Sequence, residues 1–133
     1  MLKRQIETSL ELLFMQSGDS WFILFESSDN LHFLQFAFNS SQGLFFDFPL
    51  KQLSSEAEAR QAELIVSQYA KVIRSMEDGN PITDVRSFEN RENQVINAEL
   101  GFDKKSAASI AYLIFKNIFK VGENEKIAVT IDR

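Results

Sequence analysis

The chain has 133 residues, 13 of them phenylalanine and none cysteine, and its formal net charge is −5. That length gives one domain, residues 1–133, able to bury a core without staples, and the missing cysteines exclude disulfides and thiolate metal sites, as fits a reducing cytoplasm. The basic residues are scattered, Lys3–Arg4 and Lys104–Lys105 being the only adjacent pairs, which argues against a nucleic-acid surface.

The N-terminal "MLKRQIETSLELLF" reads as an amphipathic helix, with Leu2, Ile6, Leu10, Leu13 and Phe14 on one stripe. Its charges at Lys3, Arg4, Glu7 and Glu11 deny it the unbroken apolar stretch of a signal peptide. The longest apolar run, Ile110–Phe115, falls far short of the roughly 20 residues of a membrane span. The expected location is therefore the cytoplasm, without membrane contact.

After Gly18, a natural helix stop, come three strands: "WFILFE" (21–26), "LHFLQFAF" (31–38) and "LFFDF" (44–48). The separators "SSDN" and "NSSQG" are turn chemistry, so the strands form an antiparallel meander. A second helix is expected from the capping box Ser55/Glu58. Its apolar stripe reads Ala62, Ile65, Val66, Tyr69, Val72, Ile73 and Met76, and Gly79 and Pro81 stop it. Two weaker strands (about 82–88 and 94–100) flank "ENREN". A helix capped by Asp103 runs to roughly Lys120, with Gly122 after it, and "KIAVTI" (126–131) alternates as a final strand. The order αβββαββαβ, with hairpins lacking helices between strands, predicts an α+β fold: an antiparallel sheet with helices packed on one face.

The meander predicts two unlike faces. Across "SSDN", odd residues of the first strand meet even residues of the second, and Phe36 then lies across from Phe46. One face collects Trp21, Ile23, Phe25, His32, Leu34, Phe36, Phe38, Leu44, Phe46 and Phe48 and is the core. The other collects Phe22, Leu24, Glu26, Leu31, Phe33, Gln35, Ala37, Phe45 and Asp47. There, Phe22, Leu24, Phe33 and Phe45 form an expected cluster edged by Glu26, Gln35 and Asp47, a composition typical of interfaces. Two readings stand: a helix of the same chain covers this face, or a partner does, most simply a second copy.

Groups that would carry chemistry are sparse. His32 is the only histidine, with no cysteine or second histidine beside it to make a triad or metal site. A structural or strand-end role is the expectation. Asp47 reads as the solvent-side residue of an alternating strand, against the alternative of a pocket acid. Glu56, Glu58 and Glu63 suit the first turns of a helix, and Asp84 and Glu99 have no obvious mate. The five glycines (18, 43, 79, 101 and 122) are isolated at element ends and make no phosphate loop. No catalytic residue, metal or cofactor is expected.

The order αβββαββα, with "LHFLQFAF" (31–38), "GLFFDFPL" (43–50), the capped helix from Ser55 and "AASIAYLIFKNIF" (107–119), resembles the type III secretion chaperone-like superfamily. That group includes the class I secretion chaperones and YbjN-like proteins. The final strand "KIAVTI" departs from its pattern. The resemblance implies a small acidic homodimer that binds other polypeptides and has no catalysis. The expectation is thus a non-enzymatic protein-binding module, holding a segment of another protein through Phe22, Leu24, Phe33, Gln35 and Phe45. Two alternatives remain: a small-molecule-binding or enzymatic domain with a pocket near His32 or Asp47, and an immunity protein that masks a toxin.

Overall fold

Period-2 alternation and short polar loops produce the meander in a computed structural model that describes residues 1–82 and 92–133 (of Ile82, the backbone alone). Helix α1 (Leu2–Phe14) is followed by strands β1 (Ser20–Glu26), β2 (Phe33–Asn39) and β3 (Gly43–Pro49). A 3-10 turn (Leu50–Gln52) leads to α2 (Glu56–Tyr69), then β4 (Val72–Glu77), β5 (Asn80–Ile82) and β6 (Gln94–Gly101). Helix α3 (Lys104–Leu113) closes in a π-helical turn (Ile114–Ile118), and β7 (Ala128–Asp132) ends the chain. The strands form one sheet, ordered β5-β4-β6-β3-β2-β1-β7, with antiparallel pairing throughout. The fold is α+β.

The expected register holds. Ile23 pairs with Phe36 and Phe25 with Leu34, while Phe36 pairs with Phe46. On this face Ile23, Phe25, Leu34, Phe36, Leu44, Phe46 and Phe48 are fully buried. They meet Leu2, Ile6, Leu10 and Leu13 of α1, Ala59, Ala62 and Val66 of α2, Ile110 of α3, and Ile114 and Phe115 of the π-helical turn. The Phe36 and Phe46 rings lie 4.8 Å apart, within the range where aromatic pairs attract beyond their area burial. Each such side chain contributes about 1.5–3 kcal/mol by leaving water. All of the described helices lie on this side.

The second helix is shorter than its periodicity predicts. It ends at Tyr69, and Val72, Ile73 and Met76, expected on its stripe, belong instead to β4. Pairing with β6 along Val72–Glu77 overrides the local spacing. Asp78 (φ 50°) and Gly79 (φ 82°) then form a two-residue hairpin loop, with Glu77 opposite Asn80. Positive φ at both positions is the requirement of a type I′ turn, which Asp-Gly meets. The sheet thus has a strand more than expected, in the order αβββαβββαβ among the described residues. Where a strand is expected at 82–88, the described one is Asn80–Ile82; residues 83–88 of the expected range, Asp84 among them, lie outside the described residues.

The cap of α2 is a variant of the box. Ser55 accepts from the Glu58 N–H at 3.2 Å, but Glu58 reaches back to the N–H and hydroxyl of Ser54. Asp103 caps α3 as expected, accepting from the Ser106 N–H at 3.0 Å. Gly43 opens β3 at φ 90°, where a Cβ would stand 2.3 Å from the Gly101 carbonyl. Only glycine allows β3 and β6 to approach so closely at the bulge between Leu44 and Phe45.

Candidate functional site

Residues of alternate parity build the other face of the sheet. Register sets them in three rows crossing the strands. One row runs Val72, Glu99, Phe45, Ala37, Phe22, Asp132. The next runs Arg74, Asn97, Asp47, Gln35, Leu24, Thr130. In the third are Met76, Val95 and Pro49, then Phe33, Glu26 and Ala128. Every residue in these rows is half-buried or exposed, whereas their neighbours on the core face reach zero exposure. No helix among the described residues lies over this face.

The five residues expected to bind a partner, Phe22, Leu24, Phe33, Gln35 and Phe45, do share this face and are all half-buried. They do not make one patch. Phe22 and Phe45 flank Ala37 in the first row, and Phe33 lies in the third. At about 3.3 Å per residue, roughly 13 Å of strand separates those rows. Between them Gln35 and Asp47 stand side by side, and Leu24 is the apolar bridge. The middle row is otherwise hydrogen-bonded: Asn97 donates to the Asp47 carboxylate, and Arg74 meets Glu99 of the first row at 2.7 Å. Glu99, which has no evident mate in the sequence, therefore has one. The face is a polar strip between two apolar rows.

Sequence reasoning missed the half of this face that β4 and β6 supply, namely Val72, Arg74, Met76, Val95, Asn97 and Glu99. The Asp78-Gly79 turn signal would have revealed β4 and with it the continuation of both apolar rows.

His32 and Asp47 do not come together. His32 sits at the margin of β2, its ring stacked on Phe119 at 4.2 Å on the helix side. Its backbone closes the loop: the Ser27 N–H donates to the His32 carbonyl at 3.0 Å, and the His32 N–H donates to the Ser27 hydroxyl. Asp47 is exposed on the opposite face. Among the described residues no group of three His, Cys, Asp or Glu side chains could hold a metal ion. None of the described helices is long and apolar enough to cross a membrane.

One concavity among the described residues is an open cleft of about 320 Å³ between α1 and α3, lined by Arg4, Glu7, Thr8, Glu11, Lys104 and Lys105. Its charges are mixed in sign and it contains no histidine or buried carboxylate. On the same flank, Lys116 lies 2.7 Å from Glu123. That ammonium, with the Tyr112 hydroxyl, holds the Glu123 carboxyl below its ordinary range, and the same contacts push Lys116 up. This is an exposed clamp at the end of α3, and it reads as structural.

No protein-family model, curated protein or solved structure matches the chain.

Proposed function

We propose that the protein is a non-enzymatic binding module, a chaperone-like homodimer that holds a segment of another polypeptide on the helix-free face of its sheet. One observation carries the reading: among the described residues, a seven-stranded sheet buries one face under three helices and leaves aromatic side chains half-buried on the other. Solvated faces of antiparallel sheets alternate to polar residues, and Phe22, Phe33 and Phe45 break that rule.

The row arrangement defines the kind of segment that fits. A chain lying along the middle row meets hydrogen-bonding groups from Asn97, Asp47 and Gln35 beneath it. Its apolar side chains on one flank meet Phe22 and Phe45, and on the other Phe33, Val95 and Met76. Aromatic anchors in such positions carry most of the energy of an interface. Affinity purification from the native host, followed by identification of what co-elutes, tests the reading. A defined polypeptide should be retained by the natural chain and lost with Phe45→Ser at unchanged circular dichroism. Equal retention by both would overturn it.

A further inference from the structure

Charge is spread unevenly over the helix-free face. In its three rows the ionised side chains are Glu26, Asp47, Glu99 and Asp132 against Arg74 alone. Arg74 and Glu99 satisfy each other on the β4–β6 side. Asp47 takes a neutral donor, the Asn97 amide, and among the described residues Glu26, Asp47 and Asp132 form no ion pair. The two halves of the face therefore differ. Toward β4 it is apolar and neutral, around Val72, Met76 and Val95. Toward β7 it is apolar and negative, around Phe22, Leu24 and Phe33. On the helix layer opposite, Arg4, Lys104 and Lys105 supply cations to the cleft between α1 and α3.

This charge decides between occupants. A second copy packed face to face would set carboxylates against carboxylates, with aromatic side chains excluding water around them, and like charges juxtaposed across an interface repel. A cationic segment meets the opposite sign. We infer that the face holds a segment of another polypeptide that is apolar at one end and basic at the other. Its apolar side chains lie over β4, β6 and β3, and two consecutive Lys or Arg residues lie over β1 and β7.

The placement of the carboxylates sets that spacing. Glu26 stands in the third row on β1 and Asp132 in the first row on β7, on either side of Leu24. Along the middle row they are one strand apart, about 4.8 Å, little more than one residue of extended chain. Successive side chains of an extended chain leave on opposite sides. Neighbouring basic residues thus reach Glu26 on one flank and Asp132 on the other, with their aliphatic stems over Leu24 and Phe22. Asp47, three strands from Asp132 and so about 14 Å away, adds its field nearer the apolar half. This rests on the polypeptide-binding reading of the face and adds the chemistry of the segment.

A library of random peptides about twelve residues long, enough to cross the rows in extended form, is panned against the immobilised chain. The natural chain should enrich segments in which an apolar stretch adjoins two consecutive Lys or Arg residues. Glu26→Lys with Asp132→Lys, folded by circular dichroism, should bind an enriched peptide roughly tenfold more weakly by fluorescence anisotropy. That difference should shrink from about 0.05 to about 0.5 M salt, as screening shortens the reach of the charges. Panned itself, the charge-reversed variant should favour Asp or Glu at the same two places. Equal binding of basic peptides by both chains would overturn the inference. Apolar peptides enriched without cations, and lost with Phe22→Ser plus Phe45→Ser, would overturn it while leaving the face as the binding surface. No enrichment by the natural chain beyond that phenylalanine variant would overturn both.

Discussion

The side-chain amide of Gln52 satisfies both backbone groups of Phe33, accepting from its N–H at 2.7 Å and donating to its carbonyl at 3.0 Å. The cause lies in the neighbouring strand. Continuing the register Gln35–Asp47 would set Pro49 opposite Phe33, and proline has no N–H to offer. Gln52, at the end of the 3-10 turn that Pro49 introduces, takes the missing position. The end of β2 that presents Phe33 to the helix-free face is thus fixed by a side chain rather than by a strand.

Gln52→Ala should leave that N–H and carbonyl without a protein partner. A loss of roughly 1–3 kcal/mol is expected, read from urea unfolding. Hydrogen exchange of the Phe33 amide should quicken selectively. Unchanged exchange there would contradict the role.

Phe36→Ala and Phe33→Ala should separate the two faces. Phe36 is fully buried against Phe25 and Phe46, so truncation should cost about 3–5 kcal/mol. Phe33 is half-buried on the other face, and the fold should lose only about 1 kcal/mol. Thermal melts at several protein concentrations check this and detect any part that depends on dimerisation. Equal losses at every concentration would mean that both faces are internal.

The meander was legible because two periodicities agreed: alternation within each strand and loop lengths that fix parity between strands. Ile23–Phe36 and Phe36–Phe46 follow from that alone. The second helix misled for the opposite reason. Tyr69, Val72, Ile73 and Met76 keep helical spacing, and no breaker stands between them, so only the distant pairing with β6 decides their state. The same Asp78-Gly79 pair that reads as a helix stop is also a hairpin signal, and the structure uses it as the latter. The candidate face was legible in composition but not in arrangement. Phe33 and Phe45 share a parity, yet Gln35 and Asp47 lie between them in the sheet, and the β4 half of both apolar rows was hidden inside the supposed helix.

Asp103 supplies a pH-dependent cap. Its carboxyl is held below the ordinary range first by the Ser106 N–H and then by the Ser106 hydroxyl. A carboxylate with a depressed folded pKa contributes stability above its unfolded value and loses it as pH falls through the folded one. Asp103→Ala should therefore cost about 1 kcal/mol at neutral pH and much less once the medium is acid enough to protonate the natural carboxyl. Asp103→Asn should retain most of the cap without that pH dependence. Urea midpoints across the acid range check the sign, and a loss that grows on acidification would contradict it.

The measurement closest to the central claim compares surface-apolar variants on the two sides of the molecule for binding of the co-purified polypeptide. Phe22→Ser with Phe45→Ser removes the first apolar row of the helix-free face. Leu12→Ser with Leu64→Ser removes side chains that are 48% and 61% exposed on the helix layer. With both double variants folded, titration calorimetry should show at least a hundredfold loss of affinity for the first and none for the second. The reverse pattern, or equal affinity for both, would contradict the assignment of the sheet face as the binding surface.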